Sequence, residues 1–358
     1  NHTDHNAGAV MAGAVNIDIF AVAAPSDEPV IRVKSEGYPM VTVDLRDLTP
    51  QSEESTHSPA LIRGIAFRFR EAGRKIGGFT AYTTSQVPKG SGLSSSAAFE
   101  VLIGTILNKM YGGRATPEQI AIDAQFAENV YFGKPSGLMD QMACAVGNVV
   151  EIDFAEPSAP AITPLSLDLA AAGCRLAVVS TGGSHADLTD CYAAIPREMK
   201  EVAAVFRQPV LRDITFDQLM EKADEIRAAC GDRALLRAVH FVTENVRVRA
   251  AAAALRAGDF AAFCAELSAS GRSSVLSLQN IYPPQDLQHQ GVTLALAAAS
   301  AVLGEEGAFR VHGGGFGGTI LAIVPEGRLA AFTTRMEQLF GEDCCKILSF
   351  REGACKIL

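Results

Sequence analysis

Residues 88–103 read Pro-Lys-Gly-Ser-Gly-Leu-Ser-Ser-Ser-Ala-Ala-Phe-Glu-Val-Leu-Ile. Gly90 and Gly92 carry no Cβ, so the backbone there can turn sharply and come close to a ligand. The apolar run after the serines predicts a helix over residues 94–110. The first amides of such a helix have no intrahelical partner and sit at the positive end of its dipole. Ser94, Ser95 and Ser96 add hydroxyls suited to phosphate oxygens or to a magnesium ion. Gly90, Ser91, Gly92, Leu93, Ser94, Ser95, Ser96 and Ala97 therefore form a candidate nucleotide-phosphate loop. It is not a Walker loop, because no Lys follows Gly92, nor a dinucleotide fingerprint, because the third glycine is missing. A serine-capped helix after a glycine turn is the bland alternative, and one serine would satisfy it.

Two further stretches carry chemistry. Gly313-Gly314-Gly315-Phe316-Gly317-Gly318 puts five glycines in six positions just before an apolar strand. Ordering so many glycines is entropically unfavourable, and close approach of backbone to a ligand or another loop offsets it. Upstream, Thr116-Pro117-Glu118-Gln119 is a capping box with Pro at the first helical position. Ile120, Ala124, Ala127 and Tyr131 continue at helical spacing up to Gly133 and Pro135. That places Glu128 near a helix end, where an acid needs a cation or metal partner. Asp140 is flanked by Leu138, Met139 and Met142, an apolar setting that points to a buried carboxylate with a partner or a task, a solvated surface acid being the alternative for Asp140 and Glu128 alike.

The motifs together resemble the galactokinase family of the GHMP small-molecule kinases. Asn1-His2-Thr3-Asp4-His5-Asn6 with Gly8 is similar to that family's sugar signature, residues 88–97 to its ATP loop, residues 132–141 to the segment bearing its catalytic aspartate, and residues 313–318 to its third motif. The resemblance implies ATP-dependent phosphorylation of the anomeric hydroxyl of galactose. Asp140 would be the general base, or the group that orients and polarises that hydroxyl. Asn1, His2, Asp4, Gly137 and Tyr192 would bind the sugar, and Ser95 or Ser96 with Glu128 would hold magnesium. Two departures stand out. An arginine that the family carries shortly before the signature is absent, because the chain starts at Asn1 without Met, and Asn1 replaces a glutamate. The expectation is a fragment of a longer product, severely impaired as written. A kinase for another hexose such as N-acetylgalactosamine, or a non-catalytic galactose and ATP sensor, remains open.

Composition fits an enzyme acting on small molecules. Of the 358 residues 48% are hydrophobic and the formal net charge is −9, with no basic block, which argues against nucleic-acid partners. No apolar run approaches the length of a membrane span. The 8 cysteines are scattered without a C-x-x-C pair and read as reduced cytoplasmic thiols rather than a zinc site. A cytoplasmic monomer is expected. The coarse pattern is α+β: strand-like pieces at 10–15, 30–33, 41–43, 79–85, 149–154 and 175–180, helices at 57–74 and 94–110, a helical section at 186–304, and strands with one helix from 310 onward. The resemblance groups these into a two-lobed fold of mixed sheets packed with helices, residues 1–170 and 171–358, with the active site in the cleft between the lobes.

Overall fold

A computed structural model describes residues 2–87, 93–134, 136–183 and 188–351. In chain order the first elements are β1 (Ala9–Gly13), β2 (Ile19–Ser26), β3 (Val30–Ser35), β4 (Met40–Asp44), α1 (Ser58–Glu71) and β5 (Gly78–Ser85). Then come α2 (Ser95–Met110), α3 (Pro117–Phe126), α4 (Met139–Val146), β6 (Val149–Asp153), β7 (Ala161–Leu165) and β8 (Cys174–Ser180). The helical section holds α5 (Thr189–Val205), α6 (Phe216–Glu221), α7 (Ala223–Cys230), α8 (Asp232–Ala257), α9 (Phe260–Ser273) and α10 (Gly291–Leu303). The chain closes with β9 (Ala308–Val311), β10 (Thr319–Pro325), α11 (Glu326–Phe340) and β11 (Cys345–Leu348). The α+β class expected from the sequence is what the chain adopts.

Two compact units emerge. One consists of the described residues of Asn1–Val15 and Val149–Phe350, the other of those of Asn16–Lys89, Leu93–Asn148 and Arg351–Leu358. The grouping differs from a division at residue 170, because β1 pairs antiparallel with β6, Gly13 opposite Val149, and β6 with β7. The amino-terminal strand thus belongs with the later part of the chain.

In the unit built on residues 16–148, the sheet order is β2-β5-β3-β4, with β3 parallel to β5 and the other pairs antiparallel. Alternation explains its buried face: Ile31 and Val33 of β3 and Phe79 and Ala81 of β5 are buried, while Thr80 and Tyr82 face out. Helices supply Ile62, Ile65 and Phe69 from α1 and Val101, Ile103 and Leu107 from α2 to the core. The capping box at Thr116 and Gln119 forms as read, with Pro117 opening α3.

The other unit holds the β1-β6-β7 sheet and an antiparallel sheet of order β11-β8-β10-β9. Ala177 and Val179 of β8 and Ile320, Ala322 and Val324 of β10 share a core with Val292, Ala295 and Leu303 of α10 and Phe332 and Met336 of α11. The predicted alanine-rich helix is the last part of α8, ended by Gly258 at φ 71°. Among the described residues no helix is long and apolar enough to cross a membrane.

Candidate active site

Ser94 precedes α2 in a left-handed conformation, φ 55° and ψ 48°, which a serine adopts at some strain. Its side chain does not cap the helix. The Ser94 hydroxyl instead donates to Asp140 Oδ2 at 2.7 Å. The serine-cap alternative therefore fails at this position, and the first amides of α2 are left without a cap from it. Asp140 lies in the first turn of α4 and is exposed, which corrects the expectation of burial. The apolar neighbours misled: Leu138 and Met142 turn into the core, and Asp140 lies on another face of the same short helix.

Glu128 is buried, 2% exposed. The helix read from Thr116 to Gly133 does not stay α-helical. It ends as α3 at Phe126 and widens into a π-helical turn, Ala127–Phe132, closed by Gly133 at φ 85°. Glu128 sits in that turn with four donors on its two oxygens. Oε1 accepts from Lys134 Nζ at 2.7 Å and Ser96 Oγ at 3.1 Å. Oε2 accepts from Ser136 Oγ at 2.5 Å and Gln141 Nε2 at 2.8 Å. Burial pushes this carboxyl up, but the Lys134 charge and the hydrogen bonds outweigh it and hold it below the usual range.

Beneath it, Gln141 Nε2 also donates to Glu100 Oε2 at 3.1 Å. Glu100 is fully buried on α2, and burial, then the Glu128 charge, push its carboxyl up to about 8. Glu100 Oε1 and Gln141 Oε1 have no hydrogen-bond partner among the described residues. Asn129 Oδ1 accepts from the Ser136 amide at 2.8 Å, and Gln125 donates to the Ser136 carbonyl at 3.1 Å, so Ser136, beside Gly137, is pinned from the preceding helical turns. Ser95 is exposed, and its hydroxyl makes no hydrogen bond among the described residues. Of the two serines read as metal-holding, Ser96 is the one placed against Glu128.

A hard cation takes oxygen ligands and keeps several of its waters, so it needs few protein groups. An ionised buried carboxylate with a serine hydroxyl on the same oxygen, already bearing one positive charge, fits that requirement. Among the described residues no group of three or more His, Cys, Asp or Glu is arranged to hold a metal.

In the other unit, Asp4 opens a short 3-10 turn, Asp4–Asn6, held by buried groups on either side. Thr3 Oγ1 donates to the Ala9 carbonyl at 2.6 Å, and Asn6 Oδ1 accepts from the Leu211 amide at 3.3 Å. His2 Nε2 donates to the Gly314 carbonyl at 2.9 Å. Burial, then His5, lower the His2 pKa well below its usual value and keep the imidazole neutral.

The glycine-rich turn is clamped rather than free. Tyr192 donates to the Gly315 carbonyl at 2.9 Å, and its ring meets Phe316 edge-on at 5.5 Å. Asn280 Nδ2 donates to the Gly314 carbonyl at 3.1 Å, and the Asn280 carbonyl accepts from the Phe316 amide at 2.5 Å. Gly315 has φ 79°, and a Cβ there would lie 2.1 Å from the Asn280 carbonyl oxygen. Gly313 and Gly318 also have positive φ, and Gly317 and Gly318 are buried. Asn1, Gly90, Ser91 and Gly92, read from the sequence as site residues, lie outside the described residues.

Sequence reading missed Glu100, Gln141, Lys134 and Asn280 as contributors. Glu100 left a signal, an acid between Ala97 and Gly104 on the buried stripe of α2. Asn280 left none, since its partners lie 34 residues away in sequence.

Comparison with known proteins points the same way. The family described as GHMP kinases N terminal domain matches residues 60–148. Over 345 residues the chain is 34% identical to a galactokinase of Streptomyces coelicolor, covering 95% of this chain and 85% of that protein. A solved Lactococcus lactis galactokinase complexed with galactose superposes with a TM-score of 0.85 at 24% identity, covering 100% of this chain and 92% of that one. A mevalonate kinase of Methanococcus jannaschii shares the fold at a TM-score of 0.63 and 12% identity, covering 98% of this chain and 94% of that one.

Proposed function

The chain belongs to the galactokinase family, kinases that phosphorylate galactose with ATP, and we propose that Asp140 is the group that takes the proton from the sugar's anomeric hydroxyl. As that oxygen bonds to the γ-phosphorus of ATP, the bond from the γ-phosphorus to the bridging oxygen breaks. ADP leaves, and the proton passes to Asp140. The Ser94 hydrogen bond at 2.7 Å supports this reading most directly, because it fixes one carboxylate oxygen from the residue just before the phosphate-loop helix. Little covalent work falls to the protein, so orientation and charge stabilisation are its main contributions. The amides at the start of α2 and the hydroxyl of Ser95 receive phosphate oxygens, while the Ser94 and Ser96 hydroxyls orient Asp140 and Glu128 beside them. Magnesium, held by Glu128 and Ser96, would neutralise charge on the outer phosphates when bound. Asp4 and His2 hydrogen-bond sugar hydroxyls, the neutral His2 ring accepting at Nδ1 because Nε2 donates to the Gly314 carbonyl. Gly137 offers backbone to the sugar, and Tyr192, whose hydroxyl pKa burial raises to about 12, contributes a neutral phenol. The glycine-rich turn at 313–318 provides backbone close to the substrates.

A monomeric enzyme of the cytoplasm is the setting we infer. Cys174, Cys191, Cys230, Cys264, Cys344 and Cys345 form no disulfide, which supports a reducing compartment.

The test is ADP release measured with ATP, magnesium and a panel of hexoses, on the chain and on Asp140→Asn. Galactose-dependent turnover that falls by roughly 10²–10⁴ in the variant, with galactose binding kept, is the expected result. Unchanged turnover in Asp140→Asn removes the base. Turnover with N-acetylgalactosamine but not galactose overturns the substrate, and binding of both substrates without turnover favours a sensor.

A further inference from the structure

Lys134 occupies an unusual place. Its ammonium sits 2.7 Å from Glu128 Oε1, the same oxygen that accepts from Ser96. The Lys134 side chain is 56% exposed, whereas the carboxylate it neutralises is 2% exposed. The other three donors on Glu128 are neutral and held by the fold: Ser96 in the first turn of α2, Ser136 in the pinned loop, and Gln141, buried in α4. Lys134 is the only one of the four that is charged, long and largely in solvent. Its backbone is anchored independently, the Lys134 amide donating to the Glu128 carbonyl at 3.1 Å, so the side chain can leave without the chain moving. Opposite a buried carboxylate, the ammonium fills the position of a counter-ion.

We propose that Lys134 is the resident counter-ion of Glu128 and exchanges with the divalent cation that accompanies ATP. The inference rests on reading Glu128 as the metal-holding carboxylate. An ammonium and a divalent cation cannot share Oε1, because like charges a few ångströms apart in a partly dry site repel strongly. Without the metal, Lys134 spares the fold an uncompensated buried charge. With the metal, the ammonium is released into solvent beside the substrate phosphates. Lys134 therefore weakens cation binding to the metal-free protein and stabilises that state; it is a positioning residue rather than a catalytic one.

Mn²⁺ serves as the probe, titrated in saturating ADP and followed by its electron paramagnetic resonance signal, with thermal unfolding of the metal-free and Mn²⁺-loaded proteins alongside. Lys134→Met is expected to bind Mn²⁺ on the order of tenfold more tightly than the original chain. Its melting temperature should drop without metal and recover with it, and Lys134→Arg should restore the metal-free value. Equal or weaker Mn²⁺ binding by Lys134→Met, while Glu128→Gln loses binding, overturns the exchange alone. Unchanged binding by Glu128→Gln, or no binding by any form, overturns the reading of Glu128 and the exchange together. Should Lys134→Met fail to fold, amine labelling of the original chain decides: Lys134 becomes more reactive with Mn²⁺·ADP than with ADP alone if it is released, and stays unchanged if the exchange is wrong.

Discussion

Glu100 and Glu128 are both buried acids, yet they are held in opposite states by their neighbours. Glu128 has four donors, one of them a lysine; Glu100 has one shared amide and an oxygen without a partner among the described residues. Glu100 is thus a carboxyl pushed up to about 8, against an ordinary value of about 4.3 in an unfolded chain. Between those values the folded protein keeps a proton that the unfolded chain has released, so its stability is full at low pH and falls as pH rises to about 8. Glu100→Gln removes that dependence. Urea unfolding at about pH 5 and about pH 8.5 should show the variant gaining on the original chain by on the order of 3 kcal/mol across the interval. A difference that stays constant with pH would show that Glu100 is ionised throughout. At this scale the sequence spoke unevenly. Asp140 and Glu128 stood out because a motif or an odd helix position framed them, whereas Lys134 and Gln141 act through neighbours brought together by the π-helical turn.

Elements were legible where their signals were local. The capping box at Thr116, the Gly133 stop and the helix after the serines all fall where propensity and caps place them. Two strands escaped. β2 is Ile-Phe-Ala-Val-Ala-Ala-Pro-Ser, rich in alanine and carrying Pro25, and survives as an edge strand paired on one side with β5. β7 also contains a proline, Pro164, and also lies at a sheet edge. The widening of α3 into a π-helical turn has no local marker. Glycines show how context divides one residue type. Gly315→Ala would force a Cβ to 2.1 Å from the Asn280 carbonyl at φ 79°, and it is expected to destabilise by more than about 2 kcal/mol in urea unfolding. Gly327, in α11, has nothing within 4 Å of its Cβ position, and Gly327→Ala should stabilise by about 0.4–1 kcal/mol. Equal effects at the two sites would mean that the clamp on the glycine turn gives way easily.

Across the whole chain, residues 16–148 interrupt a unit whose strands lie on either side of the interruption. The antiparallel register sets Gly13 opposite Val149, so the two cut ends are already neighbours. Met11, Val149 and Leu165 of the β1-β6-β7 sheet then form one cluster with Ala252 and Leu255 of α8. Joining Gly13 to Val149 through an Asn-Gly turn should leave a shortened protein that unfolds cooperatively, since a two-residue type I′ turn closes such a pair. Calorimetry of that protein checks the expectation, and a broad, non-cooperative melt would show that the remaining residues do not stand by themselves. The grouping of β1 with β6 was unreadable for this reason, because strand pairing across so long a separation leaves no trace in local composition.

The same pairing governs how the chain is made. β6 leaves the ribosome only after residues 16–148 have followed β1, on the order of ten seconds later at ordinary synthesis rates. In that interval the intervening unit can mature while Ala9 and Val10, buried at the end, are still without their sheet. The nascent chain thus carries an unpaired apolar strand through that interval, a site for a chaperone to grip.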